Sequence, residues 1–199
     1  VAARKDLTTV RVEEIAEEAG YSPGSLYTYF ASKEELLGAA FRSVSDQLLV
    51  LLGEPPSAGS FDAALRTLLR RLYGIAAEHR GLFLMLMAGG PRVMAAAPGE
   101  RLETDMAQCR AQFLGALDRW MKEGLARGAL SPARTSEHHL LAFMGIAQTF
   151  LVHWLFEGKT TALTDETDVV VDAFMDGARR REGLTGATGV RDGEEEGPA

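Results

Sequence analysis

The run AGYSPGSLYTYFASKEELL, residues 19–37, decides how the rest of the chain is read. Gly20 offers a turn and Ser22 a helix N-cap; Pro23 suits the first helical position, where its missing N–H is no loss. Ser32 starts another helix, and Glu35 three residues on completes a capping box. Upstream, VEEIAEEA (12–19) puts Val12, Ile15, Ala16 and Ala19 on one helical face and closes at Gly20. Two short helices joined by a tight glycine turn make a helix-turn-helix, whose second helix lies in the DNA major groove.

The spacing within that second helix predicts what it offers. Leu26 and Phe30, four apart, face the first helix. Gly24, Ser25 and Thr28 then point outward, with Tyr27 and Tyr29 on the flanks and Pro23 at the leading edge. Small and hydroxyl side chains there permit close approach to base edges, and apolar atoms can meet a thymine methyl. Lys33 follows Ser32 at the next helix N-terminus, where free N–H groups, the dipole and an ammonium all favour a phosphate. A plainer reading stands beside this one: Tyr27 and Tyr29 as half-buried aromatics of a small core, Lys33 as a solvated charge.

The bulk numbers bound the alternatives. The chain has 199 residues, 46% of them hydrophobic, enough for one large domain or a small and a medium one. A single cysteine, Cys109, excludes an internal disulfide framework and multi-cysteine metal sites, which fits a reducing cytoplasm. The start, VAARKDL, has no apolar segment of signal-peptide length, and no window reaches about 18 apolar residues, so no membrane partner is expected. Val1–Lys5 read like the end of a helix already under way, and residues ahead of Val1 are expected. The net charge is −7, and residues 1–48 hold 5 Lys/Arg against 8 Asp/Glu, so no basic block advertises a polyanion partner. Phosphate contacts are local, however, and base contacts need no net charge.

Period-2 alternation is absent and the 3.6-residue period recurs, so an all-α fold is expected. The boundaries read as a helix-turn-helix module over 1–52, a Gly-Pro-Ser linker at 53–60 and a larger helical domain over 61–182. A Gly-rich acidic tail, read as disordered, fills 183–199. Within the larger part, helices are expected near 60–79, 82–88, 99–127, 135–157 and 164–181.

IAEEAGYSPGSLYTYFASKEELL (15–37) closely resembles the DNA-binding signature of the TetR family of transcriptional regulators. Ile-Ala, Ala-Gly-aromatic-Ser, Gly-Ser-Leu-Tyr, Tyr-Phe and Ser-Lys-Glu followed by Leu-Leu fall at the family's fixed positions. The resemblance implies a ligand-responsive regulator, most often a repressor in that family, that binds double-stranded operator DNA as a homodimer and is released by a small-molecule effector. By family pattern Pro23, Gly24, Ser25, Tyr27 and Thr28 face the major groove, and Tyr29 and Lys33 meet phosphates. Thr28 stands where the signature varies most, which makes it the residue for sequence choice. The chain departs from the family at Asp6 and Leu7, where Gly and an aromatic are usual. It departs again at Arg11, where Ser or Thr caps the helix; Arg11 cannot cap through an oxygen but can reach a phosphate.

The larger domain is apolar at helical spacing, and core packing is the plain reading for most of its residues. Met-rich linings also suit adaptable pockets for apolar or aromatic molecules. TetR-like proteins bind an inducer among the central helices, which singles out Phe83, Met87, Met106, Phe113, Trp120 and Met144, with Gln112 and Gln148 as polar hooks. LLAFMGIAQTFLVHWLF and VVVDAFM are apolar on more than one face, and surplus apolar surface needs a partner. By resemblance these helices pair with their mates across a dimer, with Leu151, Trp154, Leu155, Val170 and Phe174 at the interface.

Two other function classes bear on the same residues. His79, His138, His139 and His153 form no helical metal face, and there is no nucleophile elbow, P-loop or dinucleotide glycine motif, so neither enzyme, catalytic residue, metal nor cofactor is expected. A helical small-molecule-binding adaptor with a non-functional helix-turn-helix draws its support from the acidic first module.

Overall fold

Helix boundaries follow the capping chemistry of the chain. The computed structural model describes residue 17, residue 20, and residues 22–53, 55, 59–89, 100–157 and 161–179. The fold is all-helical, with no strand among the described residues. The helices are α1 (Pro23–Tyr29), α2 (Lys33–Leu52), α3 (Phe61–Glu78), α4 (Arg80–Gly89), α5 (Glu100–Ala126), α6 (Ser136–Glu157) and α7 (Thr167–Ala178). A 3-10 turn, Leu163–Glu166, precedes α7, where a single helix over 164–181 is expected from sequence. The expected helix at 12–19 and the tail at 183–199 lie outside the described residues, apart from Glu17.

α2 starts as its sequence requires: Ser32 Oγ accepts the Glu35 N–H at 3.1 Å. The return half of the capping box is shifted by one residue, because Glu35 Oε2 accepts from the N–H of Ala31 rather than of Ser32. α3 is capped by Ser60, whose Oγ accepts from Ala63. Its Phe61, Leu65, Leu68, Leu69, Tyr73 and Ala76 recur at helical spacing and are all buried.

α5 ends in a Schellman motif centred on Gly128 at φ +69°: the Gly128 N–H bonds Leu125 O and the Ala129 N–H bonds Gly124 O. Gly124 is required for a different reason. A Cβ there would lie 2.8 Å from both Leu130 Cδ1 and Phe61 Cζ, so α5 meets the start of α3 too closely for any side chain.

α6 opens on a capping arrangement with a histidine in the return position. The His138 N–H bonds Thr135 Oγ1, and His138 Nδ1 faces the Thr135 hydroxyl at 3.0 Å and its N–H at 3.4 Å. The neighbouring His139 is buried, with Nε2 3.0 Å from the Ser131 carbonyl. A carbonyl can only accept, so that nitrogen carries the hydrogen. α6 touches α4, α5, α7 and the 3-10 turn, and it is long and apolar enough to cross a membrane by length and composition, more apolar than the sequence reading allowed.

One core gathers these helices: Leu52 of α2, the inner face of α3, Ala116, Leu117, Trp120 and Met121 of α5, Phe143 of α6, and Val170, Val171, Phe174 and Met175 of α7 belong to a single cluster. Polar groups that enter it are paired. Tyr73 Oη donates to Ala147 O at 2.8 Å, joining α3 to α6, and burial, aided by the charge of Glu166, raises its pKa well above that of a free phenol. Trp120 Nε1 donates to Leu52 O at 2.7 Å, joining α5 to α2. On the surface, Arg66 bridges Asp168 and Asp172, which raises the Arg66 pKa chiefly through the Asp172 hydrogen bond, and Arg179 pairs with Asp62. These pairs fasten α3 to α7.

The Gly-Pro-Ser stretch at 53–60 separates two helices but not two cores. Leu52 before it and Phe61 after it are buried in the same cluster.

Candidate functional site

α1 has seven residues, too few to be stable alone, so its hydrogen bonds and its neighbours hold it. Ser22 supplies the cap: its Oγ accepts the Ser25 N–H at 3.2 Å and lies 2.8 Å from Ser25 Oγ. Thr28 Oγ1 donates back to Gly24 O at 3.1 Å. Both hydroxyls of the outward face are thus oriented from within the helix, each keeping oxygen lone pairs for an outside donor.

Most of this face is open to solvent. Tyr27 is 50% exposed and Tyr29 75%, values that belong to surface aromatics and not to a half-buried core. Gly24 and Thr28 are exposed, Ser25 and Phe30 half-buried. A Cβ added at Gly24 would meet nothing within 4 Å, so no contact inside the subunit requires glycine there. Pro23 and Lys33 occupy the first positions of α1 and α2. Their side chains, that of Leu26 and the whole of Arg11 lie outside the described residues. Gly20, at φ +75°, forms the turn ahead of α1 and donates to Glu17 O.

α2 carries this face into the body of the protein. It packs on α3 and α5, and Arg42 Nη1 pairs with Asp105 Oδ2 at 3.0 Å. With the Trp120–Leu52 bond near its other end, α2 is fixed to α5 at two points about ten residues apart, ~15 Å of helix.

Residues 1–40 match the family of bacterial regulatory proteins known as tetR. Over that stretch the chain is similar to the tetR-family regulatory domain. Its whole fold is TetR-like as well. A regulator named FadR from Bacillus subtilis, solved with stearoyl-CoA, superposes with a TM-score of 0.65 at 18% identity, covering 85% of this chain and 89% of its own. The fatty acid degradation regulator FadR of Bacillus halodurans gives 0.66 at 20% identity over 89% and 96%. A tetR-family regulator of Streptomyces coelicolor gives 0.64 at 25% identity over 87% and 72%. No curated protein sequence matches the chain significantly.

Within the TetR-like body, the residues expected to meet an effector are spread over two seams and the core. α4 lies antiparallel on α6, because Arg80 Nη2 donates to Leu155 O while Gln148 Nε2 reaches Met87 Sδ at 3.7 Å, the two contacts running in opposite order. Phe83 and Met87 fall on the α4 face, and Met144 stands one turn from Gln148 on α6; all three are half-buried. Phe113 packs against the core from α5, Met106 is half-buried nearer the start of that helix, and Gln112 is exposed. Trp120 is buried and its one polar atom is taken by Leu52, which makes it part of the frame.

A groove of about 530 Å³ opens elsewhere, between the start of α6 and the end of α7, lined by Arg134, His138, Ala142, Ile146, Ala173 and Gly177 among others. None of the six expected effector contacts lines it.

The expected dimer face needs correction at three of five positions. Leu155, Val170 and Phe174 are 2% exposed or less within the single chain, since they fill the core between α6, α7 and α3, and an interface cannot use surface already consumed. Leu151 and Trp154 are half-buried; Trp154 Nε1 donates to Thr161 O, and the Arg80 guanidinium sits 5.0 Å from its ring centre. The outward apolar surface of these helices is carried instead by Leu141, Phe156 and Val169, each more than half exposed. Sequence reasoning missed them because a helix apolar on all sides has no periodicity to mark its outer face. Among the described residues, no three His, Cys, Asp or Glu side chains gather as a metal site.

Proposed function

We propose that the protein is a ligand-responsive transcriptional repressor that binds operator DNA as a homodimer and is released by a small, mainly apolar effector. Residues 1–52 would read DNA, and 61–182 would bind the effector and the second subunit. The observation that carries this reading is a face of exposed Gly24, Tyr27, Thr28 and Tyr29 with half-buried Ser25 among them, on a helix whose successor α2 is anchored to the larger helical body. Leu141, Phe156 and Val169 supply apolar surface that a second copy would cover, and the small side chains of the adjoining groove allow helices to approach closely. Two such reading helices would address half-sites one DNA turn apart, ~34–36 Å. An effector that favours a different spacing weakens DNA binding by its differential affinity for the two states. The stearoyl-CoA held by the Bacillus subtilis neighbour makes long acyl compounds the first effectors to try.

The test is fluorescence anisotropy with a labelled duplex from the region upstream of the protein's own gene. Binding should fall steeply with salt, as phosphate contacts release counterions, and Thr28→Ala and Tyr29→Ala should weaken it. Equal affinity for a scrambled duplex would sink the proposal. Ligand binding with no DNA binding would favour the adaptor reading, which the 5 Lys/Arg against 8 Asp/Glu of residues 1–48 support.

A further inference from the structure

We propose that the turn between α3 and α4, His79–Arg80, receives an oxyanion, a carboxylate or a phosphate, carried at one end of an apolar effector. The inference rests on the reading of the α4/α6 seam as part of the effector site.

Buried side-chain polar atoms in this protein are generally paired: Tyr73 with Ala147 O, Trp120 with Leu52 O, His139 with Ser131 O and Thr167 with Thr164 O. Among the described residues two are not, His79 Nε2 and Arg80 Nε, and they belong to adjacent residues. Leaving a buried donor without an acceptor is costly, and more so when the group is charged. Elsewhere Arg42, Arg66, Arg70 and Arg179 each pair with a carboxylate. Arg80 pairs with none among the described residues; it holds the Leu155 carbonyl through Nη2 and rests against the Trp154 ring.

Arg80 therefore has two contacts and an unused edge. Nη2 satisfies one of the last carbonyls of α6, a helix-capping role that accounts for neither Nε nor the neighbouring imidazole. An oxyanion can accept from the Nε–H of a guanidinium with its planar, forked geometry, and from an imidazole N–H beside it.

The rest of the seam fits the other end of such a molecule. Arg80, Phe83, Leu84 and Met87 recur at three- and four-residue spacing along one face of α4, which runs from the α6 C-terminus towards Gln148. A single amphiphile, its tail along Phe83 and Met87 and its head at the turn, would satisfy the two orphaned nitrogens while covering the apolar face.

Calorimetric titration with dodecanoate, dodecyl phosphate and dodecanol, below their micellar concentrations, tests this on the whole protein and on Arg80→Gln. The wild type should prefer the two anions over the alcohol by roughly 10- to 100-fold, the size of a charge-assisted hydrogen bond. Arg80→Gln should bring that ratio near one while still binding dodecanol. The stronger of the two anions identifies the head group. Equal binding of all three by the wild type, or an equal loss of all three in Arg80→Gln, overturns the anion site and leaves the apolar seam standing. Failure of the wild type to bind any of them overturns both. Should Arg80→Gln not fold, His79→Phe gives the same ratio: a reduced preference supports the site, and an unchanged one overturns it.

Discussion

Two glycines show how the same residue type answers to different demands. Gly124 is fixed from inside, because Leu130 and Phe61 fill the space its side chain would take. Gly24 is free from inside, with open space around it. Gly124→Ala should destabilise the fold by about 1–3 kcal/mol through overpacking, read as a lower urea midpoint. Gly24→Ala should leave stability unchanged or raise it by about 0.5–1 kcal/mol through helix propensity, yet weaken operator binding in anisotropy, since only an approaching DNA surface needs the missing methyl. Unimpaired DNA binding by Gly24→Ala would remove that residue from the interface. At this scale the sequence was legible wherever local chemistry decides: Ser22, Ser32 and Gly20 do what their types do at helix ends. His138 was not legible as a capping partner, because an imidazole in the return position departs from the usual Glu or Gln.

Elements were legible as lengths and less so as orientations. α3 has one apolar face, and its buried residues follow from its spacing alone. α6 is apolar around most of its circumference, so nothing in its pattern says which side meets the core; only the positions of α4, α5 and α7 decide that. This is why Leu155 was expected outside and is inside, and why Leu141 and Phe156 escaped notice. The distinction can be measured. Leu141→Asp and Phe156→Asp should give monomers by light scattering that keep full helicity. Val170→Asp should lose the fold, since burying an unpaired carboxylate in that core costs several kcal/mol. A dimer surviving both outer substitutions would place the interface elsewhere.

Across the whole molecule, the helices are held together by contacts between distant segments, which no local pattern encodes. Arg42 and Asp105 are 63 residues apart, and Trp120 and Leu52 are 68 apart. Composition and periodicity give no reason to pair them; under the proposed function, an effector among α4, α5 and α6 would move the reading face through these contacts. Asp105→Arg should therefore weaken the effector's hold over DNA binding more than it weakens the fold, since an exposed ion pair contributes about 1 kcal/mol or less to stability. Restoring opposite charges in Arg42→Asp with Asp105→Arg should recover part of the response, measured as the ratio of DNA affinities with and without effector. A response unchanged in the single variant would take the pair out of the relay.

The shared membership of α2 bears on how the protein could be recombined. Its first turns present the reading helix and its last residue, Leu52, is fully buried in the common core and accepts from Trp120. A graft that exchanges the DNA-reading head at the Gly-Pro-Ser stretch would look natural from sequence, yet it would import a foreign residue into the acceptor's interior. A transplantable head ends earlier, near the middle of α2, before Val44 and Ser45 turn inward. Under the proposed function, new operator specificity is therefore best introduced through the face of α1, within a recipient that keeps its own last two turns of α2.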